Sequence, residues 1–221
     1  MEKSKQILML VKIGQKDHIE QLQKSGLIYA NTVGYFRQMK GEDFLRKDIR
    51  EGAFNHIPLR QGDTLAISVN NKTIPFQISR GHINEYYTYM KKLNLYCMMH
   101  FDPQDVNKTG IIDKRNIEFG DTSLFITNPK KFIDRIKDNA PDFVKTFYGP
   151  IRYYDVNKKY EDLTIFDKPD HFDFQKEFRF VFHGHGNGPL RFEIGSLKDI
   201  SYMVEADKLT TVEIKYLSHT A

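Results

Sequence analysis

The stretch Phe172-Asp173-Phe174-Gln175-Lys176-Glu177-Phe178-Arg179-Phe180-Val181-Phe182 constrains the fold more than any other part of the chain. From Phe174 onward it alternates with a period of two: Phe174, Lys176, Phe178, Phe180 and Phe182 point one way, and Gln175, Glu177, Arg179 and Val181 the other. So aromatic a side must be buried, which predicts a central strand preceded by a loop at Asp167-Lys168-Pro169-Asp170-His171. The polar side is then either a set of structural ion pairs or the lining of a cleft. A carboxylate beside an arginine stays ionised, which suits stabilisation of a positive centre or a hydrogen bond to a sugar hydroxyl. Composition points the same way: Phe 17 and Tyr 12 with no Trp in 221 residues favour a β-rich architecture over a helical bundle.

The rest of the chain reads as short elements. Ile7 to Ile13 is β-like, Asp17 caps a helix that faces Ile19 and Leu22 inward, Ser25-Gly26 ends it, and Leu27 to Ala30 is a second strand. Asn31 to Gln38 is a turn or a short helix, and Met39 to Gly62 a long surface loop or lid. Leu65 to Val69 and Thr73 to Ser79 flank Asn70-Asn71, the plainest hairpin signal present. Leu93 to Phe101 reads as a central strand, Thr122 to Thr127 as another, and Asn128-Pro129 as the cap and first turn of a helix ending at Asn139. Strands are then expected within Val144 to Tyr154 and over Lys176 to Phe182, Leu190 to Ile194, Ser201 to Val204 and Thr211 to Tyr216. This predicts a single α+β domain over 1–221: a mixed or antiparallel, short-stranded split sheet with two or three helices.

A net charge of +4 is too mild to announce nucleic-acid binding by itself, and the Lys-Lys pairs at 91, 130 and 158 read as solvated faces. The single Cys97 excludes an intramolecular disulfide and suggests a reducing compartment; it sits among apolar residues with no base near in sequence, so it reads as packing. The apolar run Ile7 to Val11 is too short for a signal-peptide core or a membrane span, so the expectation is a soluble, cytoplasmic protein without a membrane partner.

Asp105, Asn107, Thr109, Gly110 and Ile112 match the opening of a calcium-binding loop, but Asn116 stands where the bidentate Glu belongs, and a turn is expected. His183-Gly184-His185 is half of a metal site at most, and the surrounding glycines read as a hairpin turn; no metal is expected. A second polar concentration, Arg46, Asp48, Arg50, Glu51 and Gly52, is either a solvated helix end or an anion site in which an arginine fork meets phosphate oxygens.

Two pieces together resemble known proteins. The opening Leu10-Val11-Lys12-Ile13-Gly14, Ile19 to Leu22 and Gly26-Leu27-Ile28-Tyr29-Ala30-Asn31 resembles the amino-terminal unit of uncharacterised bacterial proteins from mobile or defence loci, and Gln175-Lys176-Glu177 resembles the Gln/Glu-x-Glu motif of the ADP-ribosyltransferase superfamily. The resemblance implies a split sheet that holds NAD as substrate, and an ADP-ribosyltransferase or NAD glycohydrolase acting in a defence, toxin or phage-conflict setting. It implies Glu177 as the catalytic acid and Gln175 as the residue that positions the acceptor, a nucleic acid or a protein. Tyr29 would stack on nicotinamide, Lys12 would stand where the family has an Arg or His, and Asn31, Arg46 and Arg179 would complete the NAD contacts. Two other readings stand beside it: a non-enzymatic nucleotide- or partner-binding module, and a metal-dependent nuclease built on Asp167 or Asp173 with Glu177-x-Arg179. Against the nuclease, a guanidinium cannot serve as a base.

Overall fold

The computed structural model describes residues 6–39 and 47–217. The chain opens with β1 (Met9–Gly14), α1 (Lys16–Ser25), β2 (Leu27–Thr32) and α2 (Val33–Gln38). Gly26 closes α1 in the left-handed conformation, φ 69°, and a Cβ there would lie 2.3 Å from the Gly195 carbonyl oxygen, so helix end and chain approach both require glycine. Four outlying strands follow: β3 (Asn55–Leu59), β4 (Thr64–Val69), β5 (Lys72–Gln77) and β6 (Gly81–Glu85). β4 and β5 form the expected hairpin, with Asn70 and Asn71 both at positive φ, and β5 is exposed throughout. The expected loop over 39–62 is corrected at its end, where β3 pairs with β6 although it contains Pro58; a two-stranded ribbon leaves one edge unpaired, so a missing N–H is tolerated.

The remaining elements are β7 (Asn94–Phe101), β8 (Thr122–Ile126), α3 (Pro129–Asn139), β9 (Lys145–Pro150), β10 (Arg152–Tyr154), β11 (Asp167–Pro169), β12 (Glu177–His183), β13 (Leu190–Glu193) and β14 (Ser201–Glu205). Asn128 caps α3 by accepting from the Lys131 N–H, with Pro129 at its first turn. The described residues hold these three α-helices and five 3-10 helices. Thr211 to Tyr216 is not a strand: a 3-10 helix ends at Thr211 and only an isolated bridge joins Ile214 to Val106. Val212 and Ile214 pack against an apolar cluster instead of extending a sheet edge.

Eight strands form the main sheet, and all its pairings are antiparallel. β7 is its axis. One edge of β7 pairs with β12 from Asn94 to Met99, and β9 lies beyond β12. The opposite edge is shared: β2 pairs at Leu95 and Asn94, and β1 at Met99, His100 and Phe101. Between them the sheet splits, and the Lys12 ammonium bridges the opening by donating to the Cys97 carbonyl at 2.7 Å.

Alternation along the strands separates two faces. On the first, Leu10, Ile28, Tyr96, Leu124, Phe178, Phe180 and Phe182 pack under Ile19 and Leu22 of α1 and Phe132 and Ile136 of α3. On the second, one apolar cluster gathers Val11, Met99 and Phe101, and another gathers Leu95, Val181, Val33 and Ile165. Between these two clusters the second face carries charge.

Candidate functional site

The expected alternation from Phe174 is corrected at its start. Asp170–Gln175 is a 3-10 helix and Lys176 takes a left-handed conformation, φ 42°, so the strand begins at Glu177. Gln175 therefore does not share a strand face with Glu177 and Arg179. Lys168 of β11 reunites them: its Nζ donates to Gln175 Oε1 at 2.7 Å and to Glu177 Oε2 at 2.9 Å, and lies 4.5 Å over the Phe172 ring. β11 is held in place by its parallel pairing with β10 and by Asp167, whose carboxylate accepts from Arg152 Nε at 2.5 Å and from Thr164 N at 2.8 Å.

Arg179 organises the other side. Its Nε donates to Glu177 Oε1 at 2.7 Å, Nη1 to Glu51 Oε1 at 2.6 Å and to the Ile165 carbonyl at 2.5 Å, and Nη2 to Glu51 Oε2 at 3.1 Å. The Glu177 N–H donates to Tyr153 Oη at 2.8 Å. All the charged members are buried, Arg179 to 1% exposure and Glu177 to 4%. Glu51 is delivered by the turn that follows Asp48, which ends at Gly52 with φ 70°; a Cβ there would meet Arg37 Nη2 and Ile165 Cδ1, each at 3.3 Å. Arg37 Nε donates to the Glu51 carbonyl at 2.6 Å while its guanidinium stacks 3.9 Å over Tyr86. The two polar concentrations of the sequence thus meet.

Electrostatics follows from this packing. Burial pushes the Glu177 carboxyl upward, but Arg179 and Lys168 outweigh it and hold the group well below the usual carboxylate range. Burial lowers Lys168, and Glu177 and Glu51 more than restore it. Asp48 is the contrary case: burial raises it, its Oδ1 accepts from the Arg50 N–H at 2.8 Å, and its Oδ2 has no partner among the described residues. Burial raises Glu51 as well, and the Arg179 guanidinium works against that rise. Arg37 Nη2, Arg50 Nε and Tyr154 Oη are likewise buried without a hydrogen-bond partner among the described residues. Cys97 faces Arg179 across β7 and β12, and burial together with Glu177 pushes its thiol up to about 12. That rise disfavours the thiolate, and the half-buried side chain borders the charge on that face.

Comparison with protein-family models, curated proteins and solved structures finds no match.

The other residues singled out from sequence are placed as follows. Tyr29 and Asn31 alternate with Ile28 and Ala30 of the first-face cluster, so they belong to the second face with Glu177; Tyr29 is 40% exposed, with the Arg191 guanidinium 4.7 Å over its ring. Lys12 stands two positions from Leu10 and shares the first face with it, 4.6 Å over the Tyr96 ring, so the sheet separates it from Glu177. Arg46 lies outside the described residues. Asp105 pairs with Lys176 and caps the Asp102 N–H, which makes the calcium-like motif a turn. His183 ends β12 and His185 stacks near Phe143; among the described residues no three His, Cys, Asp or Glu groups converge as metal ligands. Lys168, Glu51 and Asp48 were not singled out for this cluster. Their one sequence signal is position: Lys168 lies in the loop-like approach to the aromatic strand, and Asp48 and Glu51 sit in the second polar concentration.

No described helix is long and apolar enough to cross a membrane.

Proposed function

We propose that the chain is an NAD-consuming enzyme, an ADP-ribosyltransferase or NAD glycohydrolase, with Glu177 as its catalytic carboxylate. The observation that carries this reading is the convergence of Gln175 and Glu177 on the Lys168 ammonium, with the Glu177 carboxylate ionised and fixed by Arg179. Cleaving the nicotinamide glycosidic bond sends its electron pair to the leaving ring and develops positive charge on the ribose. An ionised carboxylate stabilises that charge and accepts from a ribose hydroxyl; water or an acceptor nucleophile then bonds to the ribose carbon and loses a proton. Gln175 positions the acceptor, and Tyr29 and Asn31, on the same face as Glu177, supply a ring for nicotinamide and an amide for its ribose. Lys12 in this reading shapes the split and does not touch NAD.

Incubation of the purified protein with NAD, read as nicotinamide release, tests the reading. Turnover by the wild type that falls at least a hundredfold in Glu177→Gln supports it, and equal turnover by the two proteins, or none by either, ends it. The second reading, a nucleotide-binding module without turnover, draws on the burial of Glu177 and on both its oxygens being already bonded. NAD binding seen by calorimetry with no nicotinamide released is its signature.

A further inference from the structure

The β4–β5 ribbon keeps an apolar face in water. Among the described residues its two strands pair only with each other, and the register sets Leu65 opposite Phe76, Ile67 opposite Ile74 and Val69 opposite Lys72, so these side chains share one face. Ile67 is 55%, Val69 54%, Ile74 60% and Phe76 43% exposed. The other face carries Thr64, Ser68, Thr73 and Gln77 beside Ala66 and Pro75, with Ser68 Oγ 3.1 Å from Thr73 Oγ1. The apolar face has two unlike ends. Lys72 stands at its tip, beside the Asn70-Asn71 turn. Asp63 stands at its base, two positions before Leu65, its carbonyl accepting from the Ile78 N–H at 3.0 Å. Both are exposed. Arg60 and Arg80, near that base, line a separate groove, where Arg60 Nη2 donates to the Asn157 carbonyl at 3.4 Å.

A two-stranded ribbon with a wet apolar face is marginal by itself, and a contiguous patch of this kind marks a contact surface. The charges select what it contacts. A face with a cation at one end and an anion at the other is its own complement when two copies meet antiparallel, tip over base, because each Lys72 then reaches the Asp63 end of the other copy. A parallel meeting would set Lys72 against Lys72, and the polar Asn70-Asn71 tip does not suit insertion into lipid. We infer that a second copy of this chain docks here, the two ribbons packing face to face about a twofold axis, about 10 Å apart, with Leu65, Ile67, Ile74 and Phe76 of both between them. Each copy brings a patch on the order of 400 Å², which lies at the low end for a specific interface, so the dimer is a weak one in the micromolar range. The association is independent of NAD chemistry and is measured without NAD.

The test is sedimentation velocity of the full chain from about 1 to about 200 µM, where a reversible monomer–dimer equilibrium is expected. Ile67→Thr with Ile74→Thr, which keeps β-branched residues in both strands, weakens it by about tenfold or more. Asp63→Lys and Lys72→Asp each set like charges together at both ends of the twofold, and each weakens self-association by about tenfold. An equimolar mixture of those two variants restores opposite charges at both ends and dimerises about as tightly as the wild type. Should the Thr variant lose its fold by circular dichroism, the charge variants and their mixture decide; should a charge variant lose its fold, the Thr variant decides. A wild type that is monomeric across the whole range, a dimer that none of the folded variants weakens, or folded charge variants that fail to recover on mixing overturns the interface. Monomers that instead sediment with phosphatidylcholine or phosphatidylserine vesicles would overturn it in favour of a lipid surface.

Discussion

Arg179 closes a two-pronged ion pair with Glu51 across 128 positions of sequence, at 2.6 and 3.1 Å, while its Nε holds Glu177. One guanidinium thereby joins the aromatic strand to the turn before Gly52 and satisfies the Ile165 carbonyl as well. Breaking a buried pair by removing one partner leaves the other charge uncompensated, which costs about 3–5 kcal/mol. Glu51→Ala and Arg179→Ala are both expected in that range by urea denaturation. Arg179→Lys is expected to rescue little, because an ammonium lacks the planar fork that reaches three acceptors. A lysine variant as stable as the wild type would show that charge alone suffices.

Asp48 makes stability depend on pH in a defined direction. Its carboxyl is raised by burial, so the folded chain keeps a proton that the unfolded chain releases near the ordinary value of about 3.9. This contribution is complete below that value and is lost as pH rises through the folded pKa. Glu177, which is depressed, works in the opposite sense, contributing above the unfolded value of about 4.3 and losing it as acid protonates the group. Asp48→Asn has no proton to lose, so its stability relative to the wild type should grow from pH 4 to pH 8. Urea unfolding at several pH values checks this, and a constant difference would contradict it.

Cys97 reports on Glu177. A thiol pushed up to about 12 holds at pH 8 a thiolate fraction on the order of a thousandth of that of an ordinary cysteine, so alkylation of the folded protein should be slow by a similar factor. Glu177→Gln removes a neighbouring anion and should speed the reaction, as followed by intact mass. Wild-type labelling at the rate of a free cysteine would show the thiol is not held in this environment.

Lys12 separates structure from substrate. Its bond to the Cys97 carbonyl lies where neither β1 nor β2 pairs with β7, so Lys12→Met leaves that acceptor without its donor. The expected cost is about 1–3 kcal/mol of stability. NAD turnover per folded molecule should not change, since the residue lies on the face opposite Glu177. A selective rise in KM with stability intact would place Lys12 against the substrate.

Much of the framework was legible because it depends on local chemistry. The Asn70-Asn71 turn, the Asn128-Pro129 helix start, the Gly26 helix end and the central strand at 94–101 were read from residues that act on their own neighbours. Thr211 to Tyr216 departs from the expected strand because half-apolar alternation describes equally a segment that lies across a cluster and one that joins a sheet.

Residue order alone places Phe178, Phe180 and Phe182 in the interior on one side of a strand, with Glu177 and Arg179 on the other, because a strand has a period of two and aromatic rings leave water. What the polar side meets is set by packing between segments far apart in the chain. Glu51, Asp48 and Lys168 reach it from distant turns, and Lys12 is turned away from it by one step of strand parity. Buried charges need partners at hydrogen-bond distance, and which partners arrive depends on how the chain packs.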